Sequence, residues 1–284
     1  MRACAADPLV LSLVPDEPDW DVPHRVLAAA EYLRLRGDAD GDALAIVHEH
    51  AEFVRAFVRE HTIRTNVVQR CWALLPLLLT VARTAGKPLD LLELGCSAGL
   101  NLYWDRYRYV YQAGTWGPGC DLELIGVERS TVPAELLGVD VEVRRRRGVD
   151  LRPLDVMDPD DLRLLLSFGT GNSYRENVRA ATAVLRTEPP ELVRGDYVEL
   201  LPDLLAQRDA DAVTVVFQTL STIYLPLERR RRLKDVLAAA HDVVFVETPT
   251  PEEHNLRGRQ YPLAIDGRIV AEMDNGGDWL VWQG

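Results

Sequence analysis

Apolar residues recur at helical spacing throughout the first third of the chain. Three segments carry this pattern over several turns, namely residues 21–36, 42–60 and 65–85. Pro76 lies inside the third segment, where it predicts a kink or a position that tolerates proline. No comparable strand pattern precedes Leu89. The pattern therefore predicts a helical region at the N-terminus.

The pattern changes at Leu89, after which short apolar runs alternate with polar loops and helices. The apolar runs predict strands over residues 89–94, 122–127, 139–143, 191–194, 212–217, 242–247, 261–265, 268–273 and 279–282. A glycine-rich surface loop is predicted over 112–121 and a helix over 228–240. Helices between strands indicate right-handed crossovers in a parallel sheet. We therefore predict an α/β fold, with a helical cap over 1–86 and a mostly parallel sheet over 87–284.

A turn of small residues follows the first predicted strand, in the sequence Glu-Leu-Gly-Cys-Ser-Ala-Gly-Leu-Asn over 93–101. Gly95 and Gly99 permit positive φ angles and close approach of a ligand to the backbone. As Glu-x-Gly-x-Ser-x-Gly, the segment resembles motif I of Rossmann-like methyltransferases, whose glycine loop lies against the methionine part of S-adenosylmethionine. As Gly-x-Ser-x-Gly, it equally matches the nucleophile elbow of serine hydrolases, with Ser97 as the nucleophile. The local pattern leaves both interpretations open.

The rest of the chain favours the cofactor over the hydrolase. A serine hydrolase also needs an oxyanion hole, an acid and a histidine. The region before Leu89 is predicted to be helical and has no His-Gly-Gly stretch. His241 opens a predicted strand, which directs it away from the edge where ligands bind. His254 lies in a predicted loop, so it remains a candidate base.

Charge and composition exclude several classes of function. A formal net charge of −12 argues against nucleic-acid binding, because that binding depends on neutralising phosphates. The longest apolar run, residues 71–82, is shorter than the roughly 20 residues of a membrane span. Four cysteines without paired spacing predict no zinc cluster and a reduced, cytoplasmic protein. Two runs of four arginines, 144–147 and 229–232, are interpreted as solvated faces.

Carboxylates after the later strands are candidate cofactor ligands. Asp150, in Gly-Val-Asp-Leu-Arg-Pro, has the setting of an acid that accepts the ribose hydroxyls, and Glu128 is its rival. The usual distance from glycine loop to acid is about 20 residues, so either choice assumes an insertion. Asp196, after Gly195, resembles the acid that contacts the adenine amino group. Gln218 begins a polar loop after a central strand, where the ligand crevice is expected.

The order of these motifs resembles the uncharacterised bacterial family catalogued as domain of unknown function 2332, from about residue 64 to the C-terminus. The markers are Thr65-Asn66, Leu74-Leu75-Pro76, residues 93–102 with Asp105-Arg106-Tyr107, residues 147–151 with Pro153 and Asp155, Gly195-Asp196 and Tyr224-Leu225-Pro226. The resemblance implies a methyltransferase-type Rossmann fold with a helical N-terminal part, and it supplies no substrate.

Three positions depart from that family pattern. Val67 stands where an acid is expected, Gln218 where a histidine is expected, and residues 167–171 replace a stretch containing Trp-Pro-Asp. If these positions line the substrate site, this member has diverged in substrate or has lost activity.

We therefore predict a methyltransferase that uses S-adenosylmethionine and acts on a small molecule. The predicted cofactor-binding residues are Glu93, Gly95, Ser97, Gly99, Asn101, Asp150, Asp196 and Gln218. Methyl transfer needs mainly alignment of the nucleophile with the sulfonium, so a base is optional, and Tyr224 and His254 are the candidates. The alternatives are a non-catalytic cofactor-binding or interaction protein and a serine hydrolase. No metal, nucleic-acid or membrane partner is predicted, and the acceptor and oligomeric state stay open.

Overall fold

The computed structural model describes residues 7–13, 21–169, 171–250 and 260–284. The α-helices, in chain order, are α1 (Pro8–Leu13), α2 (Val22–Arg36), α3 (Ala43–Glu49), α4 (Ala51–Glu60), α5 (Arg70–Ala85), α6 (Pro159–Phe168), α7 (Asn172–Leu185), α8 (Tyr197–Ala206) and α9 (Leu227–Ala238). Short 3₁₀ helices span Leu100–Arg106, Leu136–Gly138 and Ser221–Tyr224.

The strands are β1 (Leu89–Leu94), β2 (Arg108–Tyr111), β3 (Gly114–Trp116), β4 (Glu123–Ile125), β5 (Val127–Glu128), β6 (Val143–Asp150), β7 (Glu191–Arg194), β8 (Val213–Phe217), β9 (Val243–Glu247), β10 (Tyr261–Ile265), β11 (Arg268–Met273) and β12 (Trp279–Trp282). None of the helices in the described ranges is long and apolar enough to cross a membrane.

The chain forms two compact units, and each is assembled from two segments. Residues 1–66 and 154–176 make the first unit, and residues 67–153 and 177–284 make the second. This division differs from the predicted boundary between residues 86 and 87. Helix α5 belongs with the sheet because most of its surface is apolar and buried.

The first unit is helical, as the N-terminal pattern predicts, but one predicted helix is divided and one helix is additional. The helix predicted over 42–60 is divided into α3 and α4 at His50, whose backbone leaves the helical region with φ −117° and ψ 35°. The Asp42 carboxylate starts α3 by accepting hydrogen bonds from the backbone of Leu44 and Ala45 at 2.9 and 3.0 Å. Helix α6 packs against α2 and was not predicted.

The second unit contains a nine-stranded sheet in the order β5-β12-β11-β10-β9-β8-β1-β6-β7. The strands from β9 to β7 in this order are mutually parallel, whereas β10, β11 and β12 join by antiparallel pairing. The predicted α/β fold with a mostly parallel sheet is confirmed. Because β1 pairs with β6 on one side and β8 on the other, the chain reverses its direction of winding beside β1, where open α/β sheets bind ligands.

Helices α8 and α9 cover one face of this sheet. Leu201 and Leu205 of α8 and Leu233 of α9 are buried in one apolar cluster with Leu92 and Val216 of the central strands. Helix α5 begins at Arg70 rather than near Thr65 and contains the buried Pro76. Proline has no N–H group for the carbonyl of Trp72, and the hydroxyl of Tyr111 donates to that carbonyl instead.

Strand β6 is the largest difference from the sequence prediction. The predicted strand over 139–143 ends where β6 begins, and β6 contains the first arginine run. Arg146 and Arg147 are buried, so the interpretation of this run as a solvated face is wrong for them. Arg146 donates to both oxygens of Asp105, at 2.6 and 2.8 Å, and to the carbonyl of Leu102.

A second, three-stranded sheet was not predicted. It is formed by the part of the chain that lies between β1 and β6 in sequence. Its strand order is β3-β2-β4. The strand predicted over 122–127 therefore becomes β4 of this small sheet and β5 of the large one, and the loop predicted over 112–121 contains β3. The three C-terminal strands β10, β11 and β12 have the predicted bounds.

Candidate functional site

A left-handed turn follows β1 at the carboxyl edge of the parallel strands. Gly95, Ser97 and Gly99 have φ angles of +72°, +53° and +74°. The backbone N–H groups of Gly95 and Cys96 donate to the carbonyl of Val149 in β6, at 2.8 and 3.2 Å. Gly95 and Gly99 thus adopt the positive φ angles that glycine permits. Ser97 adopts the same region, which residues with a Cβ rarely occupy.

The space beside Gly95 is filled by protein. A Cβ atom at this position would lie 2.4 Å from the Cβ of Ser221. The Ser221 hydroxyl donates to the carbonyl of Leu94 at 2.7 Å, which holds the loop after β8 against the turn. The expectation that Gly95 leaves room for a ligand is therefore corrected: its missing side chain makes room for Ser221.

Asp150 lies directly against the glycine turn. It ends β6, the strand that pairs with β1, and its Oδ2 accepts the backbone N–H of Ser97 at 3.0 Å. Its Oδ1 accepts the backbone N–H of Arg152 at 2.9 Å, so both oxygens are oriented by the main chain. Of the two predicted ribose ligands, Asp150 is the one at the turn.

Glu128 belongs to β5 at the far edge of the large sheet. Its carboxylate accepts the backbone N–H groups of Gln112 and Val132. Six pairings in the sheet order separate β5 from β1, so Glu128 orders a distant loop rather than the glycine turn.

Glu93, Asn101 and Cys71 form a buried polar cluster beneath the turn. Asn101 donates from Nδ2 to Oε1 of Glu93 at 3.2 Å, and the thiol of Cys71 donates to Oδ1 of Asn101 at 3.4 Å. Oε2 of Glu93 has no hydrogen-bond partner among the described residues. Burial raises the pKa of Glu93 well above its ordinary value, with the charge of Asp150 adding to the rise and the Asn101 hydrogen bond opposing it.

Among the residues that the structure describes, no histidine accompanies the Ser97 side chain. Its hydroxyl is buried without a hydrogen-bond partner among the described residues. His241, the histidine described in the second unit, precedes β9 and therefore lies at the amino edge of the parallel strands. The predicted candidate base His254 lies outside the described residues.

The remaining predicted residues lie at the expected edge, but several already bind other protein groups. Asp196 caps α8 by accepting the backbone N–H of Val198 at 2.9 Å, and Arg229 lies 2.6 Å from its carboxylate. Gln218 is fully buried and donates from Nε2 to the carbonyl of Thr248 at 3.0 Å. Its Oε1 accepts the backbone N–H of Ser221.

Tyr224 ends the 3₁₀ helix after β8 and is 53 % exposed. Tyr224 is thus the predicted catalytic residue that the described part of the chain presents to solvent at this edge.

Gly99 faces Leu192 of β7, whose Cδ2 would lie 3.0 Å from an added Cβ.

Arg70 holds the loop after β8 to the loop between β11 and β12, a link that the sequence reasoning missed. It begins α5 and donates from Nη1 to the carbonyl of Thr219 at 3.2 Å and from Nε to the carbonyl of Asn275 at 2.8 Å. Its positive charge also opposes the rise in the pKa of Glu93. These two carbonyls are more than 140 positions from Arg70 in sequence, so no local pattern reveals the contacts.

Within the described ranges, no three histidine, cysteine or acidic side chains are placed so that they could hold a metal ion. A comparison with curated proteins found no match. A family model described as "Uncharacterized protein conserved in bacteria (DUF2332)" matches residues 11–282. The match includes the helical N-terminal region as well as the glycine turn and Asp150, and so extends further than the resemblance read from residue 64. The chain therefore belongs to this family of uncharacterised bacterial proteins.

Proposed function

We propose that this protein binds S-adenosylmethionine and transfers its methyl group to a small molecule. The observation that carries the proposal is the 3.0 Å hydrogen bond between the backbone of Ser97 and the carboxylate of Asp150. It joins a glycine turn after β1 to an acid at the end of the neighbouring strand. Doubly wound sheets use these two features together to hold the phosphate or ribose of a nucleotide cofactor.

The strand order supports the same proposal. The parallel strands run β7-β6-β1-β8-β9, which in chain order of these five strands is 3-2-1-4-5. This is the order of a Rossmann-type sheet, with its ligand crevice beside the first strand. The methyltransferase-type Rossmann fold implied by the family resemblance is therefore part of the proposal.

Two buried polar atoms support a ligand at this edge. Oε2 of Glu93 and the hydroxyl of Ser97 have no hydrogen-bond partner among the described residues. An unsatisfied buried polar group costs about 1–3 kcal/mol, which a ligand with complementary groups would recover. A raised pKa favours the protonated form of Glu93, which can donate a hydrogen bond as well as accept one.

Each residue at this edge would contact a different part of the cofactor. Glu93, Ser97 and Asn101 would hold the methionine part, Asp150 the ribose hydroxyls and Asp196 the adenine amino group. Asp196 would have to share its carboxylate between that group and Arg229. When bound, S-adenosylmethionine supplies an electrophilic methyl group on a positively charged sulfur.

The protein has mainly to align the acceptor nucleophile with the methyl group, because a correctly held nucleophile reacts without a dedicated base. Tyr224 is exposed on the loop after β8, on the opposite side of β1 from β6, and is the proposed residue for orienting the acceptor. A role for His254 stays a prediction.

Calorimetric titration with S-adenosylmethionine tests the proposal. Asp150→Asn should weaken binding roughly ten- to a hundredfold, because a hydrogen bond to a charged group contributes about 1.5–3 kcal/mol. Glu128→Gln is the matched control and should leave binding unchanged, since Glu128 lies at the far edge of the sheet. An unchanged affinity in a folded Asp150→Asn protein, or no binding to the wild-type protein, would refute the assignment. Formation of S-adenosylhomocysteine then separates an enzyme from a non-catalytic cofactor-binding protein.

A serine hydrolase remains the second candidate because of the backbone of Ser97. A non-glycine residue at φ +53° on a tight turn after a strand is the geometry of a nucleophile elbow. A fluorophosphonate probe, which labels activated serines, decides between the two chemistries. We expect no labelling. Stoichiometric modification of Ser97 that disappears in Ser97→Ala would overturn the methyltransferase proposal.

A further inference from the structure

A cavity of about 210 Å³ lies within the first unit, among residues of α2, α4 and α6. Phe57 and Leu164 are its buried apolar residues, and Tyr32 and Phe53 are partly exposed beside them. A cavity of about 150 Å³ is enough for benzene. The space therefore suits a single ring with a short side chain.

Three aromatic rings line the cavity and contact one another. The centroid of the Tyr32 ring is 6.1 Å from that of Phe53 and 5.7 Å from that of Phe57, and the two phenylalanine centroids are 5.9 Å apart. The face of an aromatic ring carries negative potential, so a cluster of ring faces attracts positive charge.

Two guanidinium groups of the protein already occupy positions over these rings. Cζ of Arg36 is 5.2 Å from the centroid of Phe53 and 5.7 Å from that of Tyr32. Cζ of Arg163 is 5.5 Å from the centroid of Tyr32. All three distances are within the range of a cation–π interaction. The rings of this cavity therefore already interact with cations in the folded protein.

The charged residues around the cavity also favour a cation. Glu60, Asp160 and Asp161 line it, together with Arg36 and His61. Arg36 is paired with Asp38, and Asp160 is paired with Arg163. The three carboxylates outnumber the two guanidinium groups, those of Arg36 and Arg163, so the surroundings of the cavity favour a cation over an anion.

We propose that this cavity is a binding site for a small organic cation, namely a protonated amine on a single aromatic ring or a short alkyl chain. The ring faces and the cavity volume select the apolar part, and the carboxylates favour the ammonium group. The site uses residues of the first unit alone, so it is independent of the proposed methyl transfer.

The first experiment compares three ligands of one shape on the full chain by calorimetry or saturation-transfer NMR. 2-Phenylethylammonium is the cation, 2-phenylethanol the neutral analogue and phenylacetate the anion. The cation should bind about 3- to 30-fold more tightly than the alcohol, the range given by a cation–π interaction, and more tightly than phenylacetate. No binding of the cation up to about 10 mM, or equal binding of the alcohol or anion, would overturn the proposal.

Two variants should shift the affinity for 2-phenylethylammonium in opposite directions. Glu60→Gln removes a negative charge and should weaken the cation several-fold while leaving 2-phenylethanol unchanged. Arg36→Gln removes the guanidinium that competes for the ring faces and should tighten the cation. If the cation loses affinity in Arg36→Gln, then Arg36 recognises the ligand and the charge assignment is wrong.

Glu52→Gln is the matched control for Glu60→Gln, because Glu52 is an exposed acid of the same helix that is not part of the cavity lining. It should leave the affinity for the cation unchanged, and an equal loss would show a general charge effect instead of a site. Asp150→Asn should also leave this affinity unchanged. The proposal for the cavity and the proposal for the cofactor site can therefore fail independently of each other. Thermal unfolding of each variant confirms that it is folded.

Discussion

Gly95→Ala should be strongly destabilising because a side chain at this position meets Ser221. Alanine at φ +72° carries the strain of the left-handed region, about 1–2 kcal/mol. Its Cβ would also lie 2.4 Å from the Cβ of Ser221, well inside the roughly 3.5–4.0 Å of a normal carbon contact. Relieving such an overlap in a packed region costs about a further 1–3 kcal/mol. We expect a total loss of about 2–5 kcal/mol in the free energy of unfolding.

Gly86→Ala is the control that isolates the contact. Gly86 ends α5 at φ +58°, and an added Cβ would have no atom within 4 Å. This variant should lose only the backbone strain, about 1–2 kcal/mol. Ser221→Gly removes the opposing Cβ, so the double variant Gly95→Ala/Ser221→Gly should recover about 1–3 kcal/mol relative to the sum of the single variants.

Urea unfolding of the four proteins and the control, followed by far-UV circular dichroism, measures these differences. A change at the midpoint with an unchanged slope reports stability alone. If Gly95→Ala lowers the free energy of unfolding no more than Gly86→Ala does, the loop after β8 moves aside easily. The contact with Ser221 then does not constrain the turn. If Ser221→Gly gives no recovery, the destabilisation has another source.

Two further predictions concern buried charges. Arg146→Met should cost up to about 3–5 kcal/mol, because it leaves the Asp105 carboxylate with Arg106, 3.5 Å away and half-exposed, as its remaining ion-pair partner. The control Arg145→Met, at a more exposed ion pair, should cost less than about 1 kcal/mol, and equal losses in urea unfolding would contradict the distinction. For Glu93, a pKa raised by burial means that the stabilising contribution is fully present below the unfolded value of 4.5 and is lost as the pH rises through the folded pKa. The melting temperature of Glu93→Gln should therefore rise relative to wild type as the pH increases from 4.5, and a constant difference would refute the raised pKa.

The periodicity of the sequence was sufficient for most of the large sheet but not for β6. The apolar strands β1, β8 and β9 and the C-terminal strands were predicted because their side chains follow strand patterns. Strand β6 was missed because its arginines look solvated in sequence. Arg146 is buried because Asp105, 41 positions earlier, neutralises it. Such compensation depends on tertiary pairing and leaves no local signal.

The sequence contains a helix-start signal at Asp196, but no helix was predicted there. Asp196 is followed three positions later by Glu199, the spacing of a helix start, and its carboxylate does cap α8. In contrast, the contact between Gly95 and Ser221 joins positions 126 apart, and no pattern along the chain predicts it. The turn itself was predictable, whereas the residue that fills the space beside it was not.

The choice between Asp150 and Glu128 shows why sequence distance was a poor guide to the site. An acid about 20 residues after the glycine turn is expected when one crossover helix joins the first two strands. Here the β3-β2-β4 sheet is inserted between β1 and β6 and places Asp150 more than 50 positions after Gly95. Glu128 is nearer in sequence, but β5 pairs with β12 and is thereby carried to the far edge. The parallel register of Leu94 with Val149 brings Asp150 to the turn, so strand adjacency decides which acid could reach a ligand there.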